Sequence, residues 1–117
     1  MAVTHVANTR SNLASQVLTD LGVNAEMVLR DSGDNELATL PTPNPSGTVA
    51  GAVLTFGSFT DDTNANAGTC TYIAMETSGG SEVYRFNATG DGVTLSSTTI
   101  GAGDTVQCSA HTYTAPA

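Results

Sequence analysis

The chain has 117 residues, with 3 Lys+Arg against 11 Asp+Glu and a formal net charge of −8. All three cations are arginines (Arg10, Arg30 and Arg85), too few to build either a phosphate-neutralising surface or a polybasic membrane anchor. The length allows one domain, expected over residues 1–117; no apolar run approaches the ~20 residues of a bilayer span, and Met1-Ala2-Val3-Thr4-His5 lacks the basic and apolar regions of a signal peptide. These features predict a soluble protein made in the cytoplasm, with no nucleic-acid and no membrane partner. Charged residues are 12% of the chain, about half the usual share. With Thr, Ser, Asn and Gly filling the gap, this reads as a polar β protein rather than a disordered acidic tail.

In chain order, Leu13, Val17, Leu18 and Leu21 recur at helical spacing, Asn8 or Thr9 is available as a cap, and Gly22 follows as a C′ glycine. One short amphipathic helix is predicted over residues 9–21. The pattern then changes to strands. Residues 25–30 put Met27 and Leu29 on one side of a pleat, Asp31-Ser32-Gly33-Asp34-Asn35 has turn composition, and Glu36-Leu37-Ala38-Thr39-Leu40 forms the second arm. Pro41, Pro43 and Pro45 then break the pattern before Gly47, a loop of extended geometry. Ala52 to Phe56 places Leu54 and Phe56 on one face. Thr69 to Glu76 carries apolar side chains on both faces and is expected at the centre of a sheet. Glu82 to Asn87 offers Tyr84 and Phe86 to one side, and Gly90-Asp91-Gly92 turns the chain. Val93, Leu95 and Ser97 alternate towards Ile100, and Gly101-Ala102-Gly103 turns it again. In the last segment Val106, Cys108, Ala110 and Thr112 are expected on one face, with Gln107, Ser109 and His111 on the other. Six to eight short strands with turns between them predict a mainly β fold, an antiparallel β-sandwich (jelly-roll or Ig-like) or small barrel, with one short N-terminal α-helix.

No chemical motif at diagnostic spacing emerges. Asp62, Asn64 and Asn66 have the alternate spacing of a calcium loop, but the glycine falls one place late at Gly68 and Ile73 occupies the bidentate position, so an Asx-rich turn is expected. His5 and His111 have no cysteine or carboxylate at ligand spacing, and His111 is expected as a surface or interface side chain. Gly90-Asp91-Gly92 and Gly101-Ala102-Gly103 precede strands rather than a helix N-terminus, which argues against a phosphate cradle. Cys70 and Cys108 fall on apolar registers. They either bridge the sandwich, where a loop of this length would contribute roughly 3–4 kcal/mol, or stay reduced and buried, the reading favoured without a secretion signal. Asn87-Ala88-Thr89 matches a glycosylation acceptor, relevant only in a eukaryotic secretory pathway. The residues predict no catalytic, metal or cofactor site.

The collinear order of segments carries more information than any one of them. Met1-Ala2-Val3-Thr4, a helix, Glu36-Leu37-Ala38-Thr39-Leu40-Pro41, Asn44-Pro45, Gly51 to Phe56, Ala67-Gly68-Thr69, Ser78-Gly79-Gly80, Leu95 to Ile100, Gly103-Asp104-Thr105-Val106 and Tyr113 to Ala117 resemble small structural proteins of tailed phages. That resemblance implies a virion component of the capsid decoration or cement type, a homotrimer on the capsid exterior that bridges neighbouring major capsid protein subunits. The alternative it leaves is a tail, neck or fibre-base protein. The paired cysteines and the Pro41 to Pro45 segment depart from the pattern. Residues able to reach a partner are expected in an N-terminal arm over residues 1–8 (Val3, Thr4, His5), in the proline loop (Pro41, Pro43, Pro45) and in a C-terminal tail over residues 111–117 (Tyr113, Pro116).

Overall fold

A computed structural model describes residues 3–89 and 92–116. Met1, Ala2 and Ala117 of the expected extensions, and Gly90 and Asp91 of the expected turn, lie outside the described residues. The elements are α1 (Ala7–Leu21), β1 (Glu26–Arg30), β2 (Glu36–Pro41), β3 (Gly47–Ala50), β4 (Val53–Phe56), β5 (Gly68–Thr69), β6 (Tyr72–Glu76), β7 (Glu82–Asn87), β8 (Val93–Leu95), β9 (Thr99–Ile100) and β10 (Cys108–Thr114). They form two packed antiparallel sheets, ordered β2-β1-β6-β7 and β3-β4-β10-β8, with a small β5-β9 pair. The fold is thus a β-sandwich with one short N-terminal helix.

The first sheet follows from its pattern. In register, Met27 faces Leu40 and Met75, Leu29 faces Ala38 and Ile73, and Met75 and Ile73 face Tyr84 and Phe86. Directly opposed residues share a face, so these side chains make one continuous apolar layer, fully buried on β1 and β6. Val28 and Ala74 lie on the outer face and are also buried. On the same sheet Arg30 bonds buried Glu76 at 2.9 Å, and Arg85 stacks at 4.5 Å over Tyr72. The central position expected for the Thr69 to Glu76 segment is correct, with the strand itself confined to Tyr72–Glu76. The tight β1–β2 turn is organised by Asp31, whose carboxylate accepts the backbone N–H groups of Gly33 and Asn35. Those bonds, led by that from Asn35, hold its pKa below the ordinary value.

The helix begins earlier than the sequence suggests. It starts at Ala7, so Asn8 and Thr9 lie inside it, and its cap position is Val6, which makes no side-chain capping bond. Tertiary contacts anchor this end instead. Arg10, in the first turn, donates twice to the carbonyl of Ala115, at 2.9 and 3.2 Å. Ala14 and Leu21 are buried, and Leu13, Val17 and Leu18 pack against the common core. The expected arm over residues 1–8 is therefore shorter: only residues 3–6 precede the helix among those described.

Two further extensions differ from expectation. The C-terminal segment is not a tail, since residues 111–114 belong to β10 at the interior of the second sheet and Ala115 is buried. The proline loop is pinned at both ends. Pro41 closes β2, and Thr42 is buried with its hydroxyl on the carbonyl of Ala25. Ser46 accepts the N–H of Ala25 and donates to the carbonyl of Gly22. Only Pro43, Asn44 and Pro45 are exposed between these anchors.

Candidate functional site

Strand β10 contains the feature that places the polar centre of the molecule. Against β8, Cys108 pairs with Leu95, Ala110 with Thr94 and His111 with Val93, so Ser109 is an extra residue in the ladder. Such a bulge reverses the in-out parity beyond it. Cys108 and His111, three apart, both point inward, while Ala110 is exposed. The sequence expectation of a surface His111 is overturned for that reason: a strict period of two was carried through a bulge. His111 is 2% exposed.

The imidazole lies between the sheets in an aromatic stack. Phe86 of β7 is 4.3 Å away at 11°, and Phe56 of β4 is 5.1 Å away at 12°. Tyr84 and Tyr113 complete the cluster, 5.3 Å apart. Both ring nitrogens are engaged. Nδ1 is 2.8 Å from the carbonyl of Gly92, which only accepts, so Nδ1 carries the proton. In the neutral ring Nε2 is then an acceptor and takes the hydroxyl hydrogen of Tyr84 at 2.7 Å. Burial lowers the pKa of His111, opposed by the bond to Gly92. Burial, and then the neighbouring Tyr113, push the Tyr84 phenol up. Both shifts favour the neutral pair. Gly92 adopts φ +68°, and a Cβ there would stand 2.9 Å from the Thr112 carbonyl, so the loop meets β10 at a distance that only glycine permits.

A cavity of about 330 Å³ opens beside this cluster, lined by Tyr84, Arg85, Phe86, Gly92 and residues 111–114. Arg85 does not bring its charge to the ring, because its guanidinium bonds Glu82 and stacks on Tyr72. The His111 lone pair is already taken by Tyr84, so the pair acts as a polar tie between sheets rather than a base poised for substrate. No protein-family model, no curated protein and no solved structure matches the chain.

The remaining sequence candidates are placed as follows. The Asp62 carboxylate accepts the backbone N–H groups of Thr39 and Asn64, and Asn66 donates to the carbonyl of Glu36, which is the Asx-rich turn expected. The same turn covers the outer edge of β2, where Asn66 N–H reaches Leu37 O and Thr60 N–H reaches Pro41 O. Cys70 and Cys108 are separate buried thiols, with weak bonds to nearby carbonyls. Burial raises both, Cys70 to about 11.

Most of the expected contact residues fall into two groups at the ends of α1. Near its N-terminus, Val3 and Val6 are 80% and 71% exposed. The Arg10 bond to Ala115 brings exposed Pro116 to that same end. Thr4 is exposed and His5 half-buried in the same segment. Near its C-terminus, Val23 is 50% exposed, and Ser46 holds the Pro43 to Pro45 bend against Gly22 and Ala25 on either side of it. Val3, Val6 and Val23 are the large apolar side chains most open to solvent among the described residues. Pro41 and Tyr113 are half-buried, Tyr113 lining the cavity. Val6 lies within the expected N-terminal arm without being singled out there, and Val23 carried no sequence signal, because exposure of a single valine depends on where the helix ends.

Proposed function

We propose that the chain is a structural binding protein of the capsid decoration type, attaching to the outside of a phage head and bridging neighbouring major capsid protein subunits. The reading rests on the resemblance in segment order and on one structural observation: exposed apolar residues near both ends of a single helix. Val3, Val6 and Pro116 lie near one end; Val23, Pro43 and Pro45 lie near the other. A helix of 15 residues separates them by about 22 Å. A rigid body with two separated weak sites gains avidity when both engage, often by 10²–10⁴-fold, which is how a small protein locks two subunits together.

Charge supports the same placement. Each arginine is engaged within the chain, Arg10 by Ala115, Arg30 by Glu76 and Arg85 by Glu82. The surface is left with uncompensated carboxylates, which suits the exterior of a DNA-filled shell and solubility. Strand β7 is an edge of the first sheet, and association as a homotrimer would cover it.

Binding of purified protein to heads lacking it tests the reading. Wild type saturates the heads, raises their heat resistance and is released only weakly by salt, because the patches are apolar. Val3→Ser/Val6→Ser and Val23→Ser/Pro43→Ser each weaken binding by roughly 10²-fold and abolish the heat protection. Absence of wild-type binding, or unchanged binding by both double variants, refutes the bridging role. Light scattering that gives a monomer at micromolar concentration, with no oligomer on heads, removes the trimer.

A further inference from the structure

We propose that His111 is an acid-released latch between the two sheets: neutral, it ties β7 to β8 and β10; protonated, it lets β7 part from them and opens the aromatic cavity. The proposal is independent of the role on a capsid.

The geometry makes this ring a joint. Its stacking partners come from different sheets, Phe56 from β4 and Phe86 from β7. Its two hydrogen bonds also reach opposite ways, Nε2 to Tyr84 on β7 and Nδ1 to the Gly92 carbonyl at the start of β8. A second proton on the ring converts Nε2 from acceptor to donor and turns the Tyr84 hydroxyl hydrogen away from the nitrogen that accepts it. It also creates a cation that is 2% exposed. Neutralising that charge needs a carboxylate, and the described groups around the ring supply none. On β7 the ionisable neighbours are Tyr84 and Arg85, on β10 Tyr113, while β4 and β8 present Phe56, Gly92 and Val93. Arg85 carries the same sign as the protonated ring. Opening relieves the burial by admitting water through the adjacent cavity, and β7, an edge strand paired only with β6, is the side that loses its bond to the ring.

The sign of the effect follows from linkage. Burial lowers the pKa of His111 in the closed state, so the closed state binds fewer protons than the open one. Closure is complete above the ordinary value of about 6.5 and weakens as pH falls below it, the opening constant rising by up to about tenfold per pH unit. Glu26 has the opposite sign: burial, then Glu76 and Glu36, raise its pKa, so acidification relieves strain there, on β1 rather than at the ring. The latch is read as pH falls from about 6.5 to 5.

Hydrogen exchange over β7, corrected for intrinsic rates, is measured across this window in wild type, His5→Gln and His111→Phe. The expected result is a rise in the β7 opening constant approaching tenfold per pH unit in the first two, a flat profile in His111→Phe, and constant protection of β1. Asp91→Asn removes the carboxylate next to Gly92 in sequence and retains the rise. In case His111→Phe does not fold, the wild-type His111 ring is titrated by NMR, with a midpoint expected below the ordinary value of about 6.5. A flat wild-type profile, the same rise in His111→Phe, its loss in Asp91→Asn, or a ring midpoint at or above about 6.5 overturns the latch.

Discussion

Replacing Tyr84 by Phe removes one oxygen and leaves the aromatic stack in place, which makes it a sharp probe of the joint between the sheets. The lost hydroxyl is the donor to His111 Nε2 at 2.7 Å. The acceptor left behind is buried in a ring 2% exposed, and a buried unsatisfied polar atom costs about 1–3 kcal/mol. For a chain of 117 residues, unfolding entropy near 2.1 cal/mol/K per residue converts each kcal/mol into about 4 °C. Tyr84→Phe is thus expected to lower Tm by about 4–12 °C at pH 7.5. His111→Phe costs a similar amount, because it orphans the Tyr84 hydroxyl, although the Gly92 carbonyl retains the Thr112 N–H. The double variant removes both partners and places a phenyl ring between Phe56 and Phe86. Replacing both members of a buried bond by apolar groups of like shape is close to neutral, so the double variant should recover at least half the loss of either single one. Denaturant titration of the four proteins closes the cycle. Additive losses, or a Tyr84→Phe loss under about 0.5 kcal/mol, refute the assignment of that hydrogen bond as the tie.

Gly92→Ala forces a side chain into φ +68° and puts its Cβ 2.9 Å from a backbone oxygen. A loss of about 1–3 kcal/mol is expected by denaturant titration. Arg30→Met strips the partner from Glu76, which is 5% exposed, and should cost about 2–4 kcal/mol, most of it regained in Arg30→Met/Glu76→Met; that too is read in denaturant. Cys70 and Cys108 are buried thiols whose thiolates are disfavoured. Ellman's reagent should react with them only as fast as the protein unfolds, and rapid reaction of the native protein would contradict their placement.

The sandwich was legible because its strands obey simple alternation. Met27, Leu29, Leu54, Phe56, Ile73 and Met75 are all buried on the faces their spacing assigns, and the turns at Asp31 and Asp62 form the side-chain bonds that such residues favour. The polar centre was not legible because one extra residue, Ser109, shifts the parity of β10. A clue was present in Tyr113, an aromatic residue in phase with His111, which a surface-facing register leaves unexplained. The extensions were misjudged for a different reason. Chain ends and prolines favour exposure on average, but here the Arg10 bond to Ala115 and the Ser46 bonds around Gly22 and Ala25 tie them down. Helix onset at Ala7 likewise reflects that tertiary anchor rather than a side-chain cap.

The most direct measurement of the proposed role is quantitative mass spectrometry of separated heads and tails from the particles that carry the protein. A decoration protein is found with heads, in copy number comparable to that of the major capsid protein. Recovery with tails in a few copies per particle, or absence from both fractions, contradicts it.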